Sequence, residues 1–350
     1  VIGVYAAAYV YVRTGTTWSL QTTLLSPAPT GPPNYGGSFG ESVAVSGDRI
    51  IVGTPGVDNQ AGAVYFYERT GATWSGPLKV SANDHSPDLF GDPGDRFGRN
   101  VALEGDTAVV AAPGQNVVDD NFLHIEGAAY VYVRSGGGWS EQGYFIPDDD
   151  NIEATFQMGT AVDISGNTAV IGAQLSDRVF VFVRQGTSWT EQQVLTAFDG
   201  LTGDQFGVGV ATNGDRIVVG AWGNDNNTGA AYVYDRTGAT WFEGDKLRAT
   251  TGVPTESSLL FGNSVDISGD TIIAGAPDEE VGLNRLQGAA YIFQKRDTDG
   301  DELPNDWEER GITVDAGTGR VLGVGNLAGG VFIELPRMGW HDGYELRKAV

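Results

Sequence analysis

The stretch Phe39-Gly40-Glu41-Ser42-Val43-Ala44-Val45-Ser46-Gly47-Asp48-Arg49-Ile50-Ile51-Val52-Gly53-Thr54-Pro55 decides the fold of this chain, because its pattern returns four more times. The later copies begin at Phe97-Gly98, Met158-Gly159, Phe206-Gly207 and Phe261-Gly262. They end at Ala112-Pro113, Ala173-Gln174, Ala221-Trp222 and Ala276-Pro277. In every copy the aromatic or Met lies nine residues before an Asp or Asn, and the final Pro, Gln or Trp lies seven residues after it. Constant spacing over five copies marks one supersecondary unit, repeated.

A second phrase follows each copy: Val64-Tyr65-Phe66-Tyr67, Ala129-Tyr130-Val131-Tyr132, Val179-Phe180-Val181-Phe182, Ala231-Tyr232-Val233-Tyr234 and Ala290-Tyr291-Ile292-Phe293. A sixth, Ala8-Tyr9-Val10-Tyr11, opens the chain without the first half of its unit. Five of the six run through a short Gly-containing turn into Trp18, Trp74, Trp139, Trp189 or Trp241. Each unit therefore predicts four strands. The Gly-Asp and Gly-Asn pairs between apolar runs are tight hairpin turns, since both residue types tolerate positive φ. Second strands such as Ile50-Ile51-Val52 and Ile217-Val218-Val219 are continuously apolar, as expected of strands covered on both faces. Small antiparallel sheets stacked around an axis supply that cover and leave only short edges. The expectation is an all-β β-propeller of six four-stranded blades, or seven if the tail completes another. It would occupy residues 1–296, with a half blade at 1–26 and repeats starting near residues 37, 90, 150, 200 and 251.

Composition agrees and narrows the partners. The chain has 350 residues, 52 of them Gly, and a formal charge of −24, which disfavours nucleic acid and anionic lipid. Multivalent cations, basic surfaces and neutral glycans remain open as partners. Cys is absent, which excludes disulfides and thiolate metal sites. Val1 to Val12 alternates like a strand and lacks a basic leading segment, so it reads as mature sequence, and no run of 18 apolar residues predicts membrane insertion.

The Phe-Gly and Gly-Ala-Pro ends of the repeated phrase resemble FG-GAP repeats, the blades of the integrin α-subunit propeller and of many bacterial and archaeal surface proteins. The resemblance covers residues 37–296 and the half repeat at 1–26. It implies a propeller and an extracellular or cell-surface location. Integrin blades carry an acidic calcium loop between their first two strands, but this chain has only the Gly-Asp turn there, so those metal sites are not expected.

In a four-stranded blade the second-to-third and blade-to-blade connections share one face. Here they vary widely: ten residues from Pro55 to Tyr65, seventeen from Pro113 to Tyr130, six from Gln174 to Phe180. Variable loops on a rigid scaffold are where binding usually resides. The candidate ligand-binding residues on this face are Asp58, Asp119, Asp120, His124, Trp222, Asp225, Asp278 and Glu279. Acidic loops also serve solubility in so acidic a chain, and Trp222 suits packing against a neighbouring blade more than stacking on a sugar. Asn226-Asn227-Thr228 is a glycosylation sequon on the same face.

The segment from Asp297 to Glu308 carries the sharpest chemical signal. Asp297, Asp299 and Asp301 alternate, and Glu308 lies eleven residues after the first, the ligand spacing of an EF-hand-type loop. The three Asp, the Leu303 carbonyl, Asn305 and Glu308 would offer hard oxygens suited to calcium. The segment resembles the calcium loops of dockerins and thrombospondin type 3 repeats, although Glu302 stands where those loops usually have Gly. A solvated acidic linker at 297–310 is the other reading. Residues 311–350 form a tail, with strands expected near Ile312–Asp315 and 320–325, that either closes the ring or starts a separate domain.

No catalytic constellation stands out. Gly36-Gly37-Ser38-Phe39-Gly40 matches a nucleophile-elbow pattern but opens a blade rather than a strand-to-helix turn. His occurs only at 85, 124 and 341, with no zinc-type His pair. The expectation is a non-enzymatic secreted or cell-surface binding or adhesion module for a glycan or extracellular protein. A non-catalytic propeller of a larger exported hydrolase or lyase stays open, as does a self-associating surface or filament subunit.

Overall fold

The computed structural model describes residues 1–4, 6–27, 38–83, 94–119, 122–125, 127–147, 157–249, 259–279, 288–295, 312–315, 320–324 and 344–349. Six antiparallel sheets follow one another along the chain. The first joins β1 (Ile2–Val4), β2 (Ala7–Thr14) and β3 (Thr17–Leu25). The second runs β4 (Val43–Ser46), β5 (Arg49–Thr54), β6 (Ala63–Thr70) and β7 (Thr73–Val80). In the third, β8 (Val101–Glu104) and β9 (Thr107–Ala112) meet β12 (Ala128–Ser135) and β13 (Gly138–Phe145), with the hairpin β10 (Asn116–Asp119) and β11 (Phe122–Ile125) between them. The fourth is β14 (Ala161–Ser165), β15 (Thr168–Ala173), β16 (Arg178–Gln185) and β17 (Ser188–Leu195). The fifth is β18 (Phe206–Thr212), β19 (Arg216–Ala221), β20 (Ala230–Thr237) and β21 (Thr240–Leu247). The sixth is β22 (Val265–Ser268), β23 (Thr271–Ala276) and β24 (Ala289–Lys295), completed by the distant β27 (Tyr344–Ala349). The architecture is a six-bladed β-propeller.

The two ends differ from the sequence expectation. The opening sheet keeps part of its second strand: Ile2↔Tyr9 and Val4↔Ala7 pair through a two-residue connection. The tail does not add a seventh blade among the described residues. Instead Tyr344–Ala349 takes the place of the missing Trp strand, with Ala290↔Ala349 and Lys295↔Tyr344 in register. A separate hairpin, β25 (Ile312–Asp315) with β26 (Arg320–Val324), precedes it.

Apolar burial explains the unalternated second strands. The core is a series of inter-sheet clusters, and neighbouring residues of one strand enter different ones. Ile51 packs between sheets two and three, while Ile50 and Val52 pack between one and two. Val218 and its neighbours Ile217 and Val219 divide in the same way. The repeated Phe packs on the Tyr of its own blade's third strand, as in Phe97–Tyr130, Phe206–Tyr232 and Phe261–Tyr291, with ring centroids 5.2, 5.6 and 5.5 Å apart. That contact ties the two repeated phrases together.

The Trp strand locks blade to blade. A bulge in the strand pairing leaves Gln21, Gln142 and Gln192 without a cross-strand partner in β3, β13 and β17. Each accepts the indole N–H of the next blade's Trp: Trp74 at 2.9 Å, Trp189 at 3.2 Å and Trp241 at 2.8 Å. The ring of each of these Trp lies under Arg69, Arg184 or Arg236, with centroid distances of 5.4, 5.2 and 5.3 Å. The same Arg residues donate to Asp48, Asn167 and Asp215 of the short turns, at 2.8, 2.9 and 3.0 Å. The short-turn face thereby repeats a stack of Asp or Asn, Arg and Trp in blades two, four and five.

Candidate functional site

The second-to-third connections and the blade entries meet on one face. Gly62 bridges Phe97, Gly127 bridges Met158 and Gly229 bridges Phe261, each in parallel. The fourth blade has only the short turn Gln174–Ser176 here. Its Asp177 carboxylate replaces the bridge, accepting the N–H groups of Gly203 at 2.8 Å and Phe206 at 3.0 Å.

Two concavities lie on this face, both lined by residues of connections and blade entries. One, of about 250 Å³, lies between blades four and five and includes Leu175, Asp177, Leu201 and Asp204. The other, of about 200 Å³, lies between blades three and four, lined by Arg96, Arg99, Asn100, Gln157, Thr160 and Gln174 along with Pro113 and Gly114.

Beside the first, the connection from Thr196 to Gln205 is tied down at several points. Asp199 accepts the Lys246 ammonium at 2.6 Å and the Tyr232 hydroxyl at 2.8 Å. Burial opposes ionisation of Asp199, but these two bonds and the Lys246 charge hold its pKa below the usual carboxylate value. Glu243 accepts the Phe198 N–H at 2.8 Å, and Asp204 accepts the Leu201 N–H at 2.9 Å and the Asn224 amide at 2.7 Å. Burial pushes Glu243 above the ordinary range. On this pinned loop Phe198 is 94% exposed and Leu201 73% exposed. Sequence reasoning missed both. Their signal is apolar residues inside the Asp- and Gly-containing connection Phe198-Asp199-Gly200-Leu201.

The sequence-derived candidates do not form one cluster. Asp58 pairs with Lys79 at 2.6 Å, and Asp225 pairs with Arg248 at 2.9 Å and faces Lys246 at 3.8 Å. Both Asp residues begin left-handed turns of three non-glycine residues, with φ of 52°, 57° and 70° at 58–60 and 50°, 58° and 66° at 225–227. Glu279 is buried at 2% exposure and accepts the Tyr291 hydroxyl, so it braces the blade from inside. Asp278 and Trp222 are partly buried at the ends of their second strands. Asp119 and His124 lie in the β10–β11 hairpin, where Asp119 is opposite Phe122 and His124 opposite Val117. Asp120 and the calcium candidates Asp297, Asp299, Asp301, Leu303, Asn305 and Glu308 lie outside the described residues. Among the described residues, no group of three or more acidic or His side chains is placed to hold a metal ion.

The FG-GAP repeat model matches residues 34–67, 74–132, 189–234 and 241–293, more than half of the chain. The chain is a member of the FG-GAP repeat family. The unmatched stretch from 133 to 188 contains the first three strands of the blade with Met158-Gly159 and Ala173-Gln174, yet this FG-GAP blade has the same four-stranded order as its neighbours. A comparison with curated proteins finds no match.

Proposed function

We propose that this FG-GAP propeller is a non-catalytic binding or adhesion module, secreted or at the cell surface, that captures a glycan or extracellular protein through its long-loop face. The observation that carries the reading is Phe198, an exposed aromatic on a connection held by Asp199, Asp204 and Glu243 beside a concavity. A preordered anchor loses little entropy on binding. Support for binding without turnover comes from the ionisable groups of the long-loop face, several of which are engaged in bracing the blades: Asp58 by Lys79, Asp225 by Arg248, Glu279 by Tyr291. Family membership supports the location.

A glycan array and a panel of extracellular proteins, probed with and without calcium, test the proposal. Phe198→Ala is expected to weaken capture by about thirtyfold, the effect of removing a central aromatic worth about 2 kcal/mol. Its melting temperature should stay near that of the wild type, because the ring is exposed. Undiminished capture by the variant, or efficient turnover of a captured ligand, would overturn this assignment.

Calcium belongs to the same proposal, supported by the alternating Asp297, Asp299 and Asp301 and the closing Glu308. One calcium per chain is expected by calorimetry, with a raised melting temperature if the ion binds only the folded state. Asp299→Ala should abolish uptake; unchanged uptake would exclude this site.

A further inference from the structure

We propose that the pocket between blades three and four takes a single acidic sugar unit, its carboxylate or sulfate held by Arg96 and Arg99. The inference rests on the long-loop face being the binding face and names the ligand chemistry of one part of it. The chain has 45 acidic residues and 21 basic ones, yet two Arg residues line this one depression. Arg99 is paired with Glu41 of the preceding blade entry, so Arg96 supplies the charge that has no carboxylate partner among the described residues. The Arg96 guanidinium makes no hydrogen bond or ion pair among the described residues, whereas Arg49, Arg134 and Arg236 are each bound to a carboxylate.

The remaining wall suits hydroxyl groups. The Gln157 and Gln174 side-chain amides likewise have no partner among the described residues, and each offers both donors and an acceptor. Asn100 is fixed by donating to the carbonyls of Gly159 and Thr160 at 3.1 and 2.9 Å. Arg96 and Gln157 precede the Phe-Gly and Met-Gly pairs and have φ of 56° and 47°. Left-handed backbone at non-glycine residues carries strain that the surrounding fold must support. The volume of about 200 Å³ lies below the range of roughly 300–1,000 Å³ for drug-sized ligands, which favours one ring. Among the described lining residues, Pro113 is the largest apolar one, so they form no large apolar recess for a neighbouring peptide side chain. This favours a sugar over an acidic peptide.

Calorimetric titration of the full chain with galacturonate, galactose 6-sulfate, galactose and acetate tests the proposal. One of the two acidic sugars is expected to bind at least about tenfold more tightly than both galactose and acetate, as a charge-assisted hydrogen bond would give. The tighter of the two identifies the oxyanion as carboxylate or sulfate. Arg96→Gln should lose about tenfold for that sugar at an unchanged melting temperature, and Gln157→Ala should weaken it further. Equal binding of galactose overturns the anionic part of the proposal, equal binding of acetate overturns the sugar part, and an unaffected Arg96→Gln overturns the location. Failure of both acidic sugars while the array still shows Phe198-dependent capture refutes this inference alone. Failure of all capture refutes the binding-face reading with it.

Discussion

Gly220→Ala is expected to destabilise the propeller by about 3 kcal/mol, the upper end of ordinary overpacking penalties. A Cβ built on Gly220 would lie 1.8 Å from the carbonyl oxygen of Gly262 at the next blade's entry. The same approach recurs at Gly3 against Gly40, Gly53 against Gly98 and Gly172 against Gly207, each at 2.0 Å. The obstacle is backbone, so no side chain can swing aside. Ala111 stands at the corresponding place in blade three and faces Gly159, where an added Cβ would come within 2.9 Å of the Ala111 methyl. That junction admits a methyl group on one side, so the expected cost elsewhere is a few kcal/mol rather than loss of the architecture. Chemical denaturation should show a lower midpoint for Gly220→Ala, with Gly244→Ala close to wild type because its added Cβ would meet nothing nearer than 3.4 Å. Equal midpoints for the two variants would show that the blades do not approach as described.

The first Gly of the Gly-Ala-Pro phrase thus has a physical cause that its spacing already hinted at. Other parts of the fold were equally readable. The Phe at the start of each phrase and the Tyr of the later one keep their places because their rings meet in the same blade. Gln21, Gln142 and Gln192 each lie three residues after a Trp, so the inter-blade lock was present as a pattern in the sequence. Its meaning depended on a bulge, which periodicity does not reveal. The strand completing blade six was not legible, because Tyr344–Ala349 lacks the Trp and returns only after the separate β25–β26 hairpin.

The candidate site was less legible than the fold, for an electrostatic reason. Acidic loop residues were conspicuous in the sequence, but an Asp in a loop looks the same whether it faces solvent or the Lys of an adjacent strand. Lys79 and Lys246 occupy matching positions opposite Tyr65 and Tyr232, and both neutralise loop carboxylates. Arg96 and Phe198 stood out less, yet among the described residues Arg96 has no carboxylate partner and Phe198 is exposed. Unmet hydrogen-bonding capacity and exposed apolar area are properties of packing, not of residue type.

Asp163→Asn is expected to stabilise the protein at neutral pH by up to about 3 kcal/mol, with little effect at pH near 4. Asp163 lies on β14, whose neighbours are the first strands β8 and β18. Burial pushes its pKa up to about 6; hydrogen bonds from the Thr212 and Ile164 N–H groups oppose the rise, and the charges of Asp266 and Glu104 add to it. The Thr212 bond is 2.7 Å long. Between the unfolded value near 3.9 and the folded value, the native state binds more protons than the unfolded chain. Stability attributable to this residue therefore falls as pH rises through that window, and the full penalty remains above it. Asn removes the charge and retains one acceptor oxygen, so the gain should be somewhat below the full linkage value. Many other carboxylates titrate over the same range, which makes the difference between wild type and variant the decisive quantity. Thermal unfolding of the two proteins should nearly coincide at pH 4 and separate progressively up to pH 7, the variant melting higher. A constant offset across that range, or a variant that melts lower at neutral pH, would mean that Asp163 is held in its charged form by the bonds from Thr212 and Ile164.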